Sequence, residues 1–247
     1  MLHVCTQANR ALYARQLEQM HRQRYALFVR QRGWRLSVRD GGEYDEGDDA
    51  RAVYLLALDE LGACFSSIRV RPADDFSMVI DNMPHHVDGD ANALRRDPGL
   101  WEMARWVNVG ADPAAGQEIR IGLVEYLLSR GARQCLALPD VSMLGYALRM
   151  GWRVRALGAP LPYPEGGVAV AVSLPVTADE VAHLRALTGR LDPFLMEIDP
   201  AAPWAGLPLT EIEQAFAQAA AVGGDAQALA GRADAALRRR LSLGEVA

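Results

Sequence analysis

Two strongly β-prone runs joined by three residues constrain this chain more than any other feature. "AVYLLALD" (52–59) and "ACFSSIRV" (63–70) flank the link "ELG". β-branched, aromatic and leucine residues on either side of a short glycine-containing link predict an antiparallel hairpin. Such a pair is too apolar to stand alone and must be covered by further strands or helices.

A third run, "LWEMARWVNV" (100–109), suits a buried element except for Glu102 and Arg105. On a helix the two would be an i, i+3 surface ion pair. On a strand they point to opposite faces, unless a bulge redirects one of them. The β-branched "VNV" favours the strand. A carboxylate between two tryptophans is partly desolvated, which raises its basicity and suits a general base.

Other elements follow from periodicity and punctuation. Residues 8–28 read as a helix, and "VRQRGWRLSVRDGGEYDEGDD" (29–49) as a long loop of a length uncommon without a role. Residues 72–99 are irregular. A helix is predicted over 117–130, a buried strand at "RQCLALP" and a short helix at "VSMLGYALRM", stopped by Gly151. "WRVRALG" and "GVAVAVSLPV" read as two more strands. "TADE" is a capping box, Thr177 with Glu180, and alanine-rich helices are predicted over 209–222 and 225–242. The order predicts an α+β domain around one mixed sheet over 1–175, followed by a helical extension over 176–247 whose role the sequence does not define.

Composition narrows the chemistry. All 26 basic residues are arginine, so a Schiff-base lysine, a phosphate-loop lysine and a Ser-Lys dyad are excluded. A net charge of −5 gives no bulk attraction to nucleic acid. Cys5, Cys64 and Cys135 are too widely spaced for a disulfide framework or a zinc site. His85 and His86 are neighbours, which in an extended segment point apart, so no metal site is expected. The first residues are too polar for a signal peptide and no apolar run reaches a membrane span, so a cytoplasmic protein is expected.

Read in order, "RYALF", "GW", "DEGD", "VYLL", "IRV" and "WEMAR", with a later "RMGWRVRALGAP", form a set. It resembles the acyl-homoserine-lactone synthases, the autoinducer synthases of bacterial quorum sensing, over about residues 10–175. The chain departs at Arg71, where the family usually has an apolar residue. Asp140 and Ser142 flank the place where the family often has a Ser or Thr shaping the acyl pocket.

The resemblance implies a GNAT-like acyltransferase fold and a two-part reaction. An acyl group passes from acyl carrier protein or acyl-CoA to the amine of S-adenosylmethionine. Lactonisation then releases 5′-methylthioadenosine. S-adenosylmethionine is a substrate, and no cofactor is implied. The resemblance makes Glu102, Arg105 and Arg69 the catalytic candidates. Arg24, Phe28, Trp34, Asp45 and Asp48 are the S-adenosylmethionine candidates, with aromatic rings against the sulfonium or adenine and carboxylates for the ammonium or ribose. Ser142 and Trp106 are acyl-pocket candidates. Carrier protein is acidic, so Arg149, Arg153 and Arg155 are candidates for docking it. Two other readings compete: a CoA-dependent N-acetyltransferase of the same fold, and a non-catalytic regulatory or binding protein. The first lacks a clean pyrophosphate-cradling turn in "GADPAAGQEIRIGLVEYLL". The second sits poorly with an intact set of polar positions.

Overall fold

A computed structural model of the chain describes residues 1–109, 113–189 and 195–244. Its centre is an eight-stranded sheet. In chain order the elements are β1 (Leu2–Cys5), α1 (Ala14–Arg24), β2 (Val53–Leu58), β3 (Cys64–Pro72), β4 (Leu100–Asn108), α2 (Pro113–Ser129), β5 (Gln134–Ala137), α3 (Val141–Arg149), β6 (Arg155–Ala156), β7 (Val172–Pro175), α4 (Ala178–Thr188), β8 (Leu195–Glu197), α5 (Leu209–Ala221) and α6 (Ala226–Gly244). The strands lie in the order β8-β1-β2-β3-β4-β5-β7-β6. The β8–β1 and β4–β5 pairs are parallel and the other pairs antiparallel. The fold is GNAT-like and mixed, with helices on both faces.

Period-2 alternation sorts the side chains. Leu2, Val4, Val53, Leu55, Ile68 and Val70 face one way, into a core closed by α2 and α4. Cys5, Tyr54, Leu56 and Leu58 face the other way, against α1, α5 and α6. Further along that second face a smaller cluster gathers Leu100 and Leu136 under residues 73–91. Between the two clusters this face is polar, and there the candidate site lies.

The predicted hairpin forms, with β2 and β3 paired antiparallel from Val53–Val70 to Leu58–Cys64 and a register shift between Ala57 and Leu58. Three expectations are corrected. Leu2–Cys5 looked like part of a polar N-terminus, yet all four residues are buried, because β1 is flanked by β2 and β8. His3 is accommodated there by the Tyr13 hydroxyl at 3.3 Å. "GVAVAVSLPV" is two strands, not one: Gly167–Ala169 turns back on Leu161–Tyr163, and only Val172–Pro175 joins the sheet. Of "WRVRALG" only two residues pair, at the sheet edge.

The Thr177 cap is present, its hydroxyl accepting from the Glu180 N–H at 3.1 Å. After Pro175 the chain supplies β8 and much of the second cluster through Ile198, Trp204, Ile212, Phe216 and Leu229. Among the described residues no helix is long and apolar enough to cross a membrane.

Candidate active site

Parallel β4 and β5 pair over only three residues each, Leu100–Glu102 with Gln134–Leu136. Past that point the strands part. The opening between Met103–Trp106 and Ala137–Pro139 is one wall of a cleft of about 800 Å³. At the same place β4 bulges against β3. Ser67 pairs with Val107 and Arg69 with Ala104, so Arg105 and Trp106 together face Ile68. Arg105 takes φ +55°, a left-handed conformation that costs a non-glycine residue energy and persists only where neighbours enforce it. The bulge shifts the alternation. Trp101, Met103 and Trp106 all pack on the first core, and Arg105 is left free to point at the polar face.

The polar face carries a charge network. Arg24, at the end of α1, puts Nε on Glu43 Oε2 at 2.6 Å and grips Asp48 with both terminal nitrogens at 2.7 and 2.8 Å. Arg69, on β3, reaches Asp48 at 2.8 Å and also holds Asp45. Arg105 bridges Glu43 at 3.0 Å and Asp45 at 2.8 Å. The Tyr54 hydroxyl donates to Asp48 at 2.9 Å. Three guanidiniums thus meet three carboxylates, and the cluster is neutral overall. That balance is the condition under which so many charges can leave water. Burial opposes the charges on Asp45 and Asp48. Arg69, with Arg105 at Asp45 and Arg24 at Asp48, overrides it and holds both below the usual carboxylate range. The Arg69 pKa is likewise raised: burial works against the cation and the two aspartates win.

Glu43 escaped the sequence analysis. It ends a small hairpin, Val38–Arg39 with Gly42–Glu43, turned by Asp40 and Gly41 at φ +51° and +76°. Two positive φ values are the signature of a tight hairpin turn, and "Asp-Gly" was its visible signal inside the presumed loop. Glu43 itself is one of six acids in that run, and nothing local distinguishes it.

Glu102 is treated differently. It is 3% exposed and accepts from the Ser77 hydroxyl and from the Met78 N–H at 3.1 Å. No arginine pairs with it directly. Burial raises its pKa, outweighing these donors and the more distant charge of Arg69. Ser77 also escaped the sequence analysis, being a single serine in an irregular stretch. Arg71, the departure noted above, is buried beside this region. It donates to the Phe76 carbonyl at 2.9 Å and pairs with Asp49 at 2.8 Å and Asp75 at 3.0 Å.

The candidates therefore fall into three groups. Phe28, Trp34, Asp45, Arg69, Arg105 and Trp106 line the cleft. Phe28 and Trp34 are stacked, with ring centroids 5.2 Å apart and planes at 15°. A widened helical turn over Tyr25–Gln31 and a bond from the Trp34 N–H to the Phe28 carbonyl at 2.9 Å hold them so. Arg24, Asp48 and Glu102 stand behind the lining. Arg24 has no exposed side-chain surface and meets Glu43 and Asp48, not the cleft lining. Ser142, Arg149, Arg153 and Arg155 lie outside the cleft. Ser142 is exposed and bonds its own helix cap, Asp140, at 2.5 Å, while Met143 and Tyr146 of the same helix face the cleft. Arg149 and Arg155 are exposed, and Arg153 lies 3.6 Å from Glu180. Among the described residues no group of three or more His, Cys, Asp or Glu is gathered as for a metal ion.

A family model described as autoinducer synthase matches residues 8–184. An acyl-homoserine-lactone synthase of Rhizobium etli is 29% identical over 198 residues, covering 77% of this chain and 92% of its own. A solved structure of the CoA-dependent acyl-homoserine lactone synthase BjaI with SAM and isopentyl-CoA superposes with a TM-score of 0.72. It is 29% identical over 81% of this chain and 94% of its own. A putative N-acetyltransferase from Lactobacillus plantarum, 13% identical over 72% of this chain and 98% of its own, shares the fold at a TM-score of 0.50.

Proposed function

Since the chain belongs to the autoinducer synthase family of acyltransferases, we propose that it joins an acyl group to S-adenosylmethionine and closes the product to an N-acyl-homoserine lactone, a quorum-sensing signal. One observation carries this reading. A single cleft brings together the stacked Phe28 and Trp34, the partly exposed carboxylate of Asp45 and the guanidiniums of Arg69 and Arg105, and it opens into the apolar gap between β4 and β5. A sulfonium amino acid needs the first set and an acyl chain the second.

In this scheme Phe28 and Trp34 take the sulfonium or the adenine. Asp45 receives the α-ammonium, and Arg69 and Arg105 the carboxylate. The amine must lose a proton, because its reference pKa is about 8. Its nitrogen then attacks the thioester carbon, and the C–S bond breaks to release the thiol carrier. Glu102 is the proton acceptor. It sits behind the cleft wall, so the proton reaches it by relay and not by contact. The substrate carboxylate next attacks its own γ-carbon. The carbon–sulfonium bond breaks, its electron pair neutralises the sulfur, and 5′-methylthioadenosine leaves.

The donor is acyl-CoA or acyl carrier protein. BjaI is CoA-dependent by name, which favours the first. Arg149, Arg153 and Arg155 on the outer face offer a basic approach for the second. Both donors and S-adenosylmethionine place the reaction in the cytoplasm. The test uses the purified chain with S-adenosylmethionine and a panel of acyl-CoA donors, reading methylthioadenosine and the lactone by mass spectrometry. Both products should appear in equal amounts. CoA release without methylthioadenosine would return the chain to the N-acetyltransferase reading. Charge reversal at Arg149 and Arg153 should raise KM for a carrier-protein donor alone. An equal rise for acyl-CoA removes that patch.

A further inference from the structure

Four nitrogen donors with no acceptor stand near one end of the cleft. Arg120, in the first half of α2, is 2% exposed, and its Nε and Nη1 meet no acceptor among the described residues. The indole Nε1 atoms of Trp106 and Trp152 are unpaired in the same way. Of ten such buried side-chain atoms among the described residues, these four include no acceptor, so they cannot satisfy one another.

Their placement is fixed by the turn that ends α3. A Cβ added at Gly151 would stand 3.8 Å from Arg120 Nη1 and 3.8 Å from His183 Nε2. Trp152 is the next residue, and its ring lies 6.2 Å from that of Trp106. Trp106 and Tyr146 line the cleft. Burial pushes the Arg120 pKa down, and no carboxylate opposes it as Asp45 and Asp48 do for Arg69.

A guanidinium is not buried cheaply without a partner, and a plain hydrocarbon tail would give it none. Met103, Leu138 and Met143 give the cleft an apolar lining beside Trp106, and Trp152 and Arg120 lie behind that lining. The wall there is α3, which has no fully buried side chain and packs on the first core through the partly buried Leu144 and Ala147, so it is this packing that a chain reaching Arg120 displaces. We propose that Arg120 and Trp152 read the far end of the acyl chain, and that this chain carries an acceptor oxygen there in place of a plain alkyl terminus. The inference rests on the synthase reading above and names the donor class for it.

The test is run on the full chain with S-adenosylmethionine and three acyl-CoA donors of equal length: alkyl, keto near the terminus, and terminal carboxylate. Methylthioadenosine release gives kcat/KM for each. At least one oxygenated donor should exceed the alkyl donor by about 100-fold, since a site built to bond an oxygen rejects the analogue lacking it. A lead for the carboxylate identifies an ion pair, and a lead for the ketone a neutral acceptor; both support the proposal. Arg120→Met, unbranched and apolar but without the guanidinium, should bring the donors within about fivefold of one another. Trp152→Phe, which keeps the ring and removes one donor, should narrow the gap partially. The wild-type ranking decides even if Arg120→Met does not fold. An alkyl donor as good as both others overturns the inference alone. No methylthioadenosine with any donor overturns the synthase reading and this inference together.

Discussion

The polar face treats two sets of buried carboxylates in opposite ways. Asp45 and Asp48 are enclosed by arginines and driven toward ionisation. Glu102, reached only by a hydroxyl and a backbone amide, is driven toward protonation. Asp45 and Asp48 sit in the segment that follows the small hairpin and Glu102 on β4, close enough for Arg69 to act on all three. The contrast shows that burial alone does not set basicity; the partner does. A permanently charged set suits holding a zwitterionic cation, and an easily protonated group suits accepting a proton.

The largest effect should come from breaking the neutral balance. Arg24→Met leaves Glu43 and Asp48 without their innermost counter-charge and should cost about 3–5 kcal/mol of stability by urea denaturation. A loss below about 1 kcal/mol would mean that the charges are not mutually dependent. Next, Glu102→Gln keeps an acceptor for Ser77 and Met78 but cannot take a proton. Its kcat should fall about 100-fold while KM for S-adenosylmethionine stays within about threefold. A change in KM alone would assign Glu102 to the wrong side of the contrast. Asp45→Asn should do the reverse, raising KM about tenfold with a smaller change in kcat.

A smaller effect separates the two sets by pH. Asp45 and Asp48 have folded pKa values below their unfolded ones, so the unfolded chain binds more protons in that window. Their contribution is full above about pH 4 and is lost as pH falls through the depressed values. Asp45→Asn should lessen this acid loss by about 1 kcal/mol in melts at low pH, and an unchanged slope would contradict the pairing. The smallest effect is a shift. The Ser77 hydroxyl favours ionised Glu102, so Ser77→Ala should move the acid limb of the kcat/KM profile up by about half a pH unit. A downward move would reverse the assigned role of that hydroxyl.

Much of this was legible in the sequence, because the motif residues are spaced by strands whose alternation is strict. Arg69 could be placed on a strand from the sequence, and for "WEMAR" the strand is favoured over a helix, with a bulge left open as what would redirect one of its charges. What could not be read was depth. Whether Arg24 or Asp45 touches a ligand depends on which end of the network faces the cleft, and that depends on contacts between α1, the Asp40–Gly41 hairpin and β3. Glu43 and Ser77 lacked any local mark for the same reason, since each is chosen by a partner far along the chain. β1 was missed because its role as an inner strand comes from residues 195–197, nearly the whole chain away.

That last pairing has a consequence for biosynthesis. β1 leaves the ribosome well before β8, and it can align with β2 as soon as the hairpin forms. Its other edge stays bare until β8 emerges, and an uncapped edge invites pairing with a neighbouring nascent chain. The segment carrying β8 thus works as a late seal on an early opening, and slow translation between β1 and β8 should lower the soluble yield.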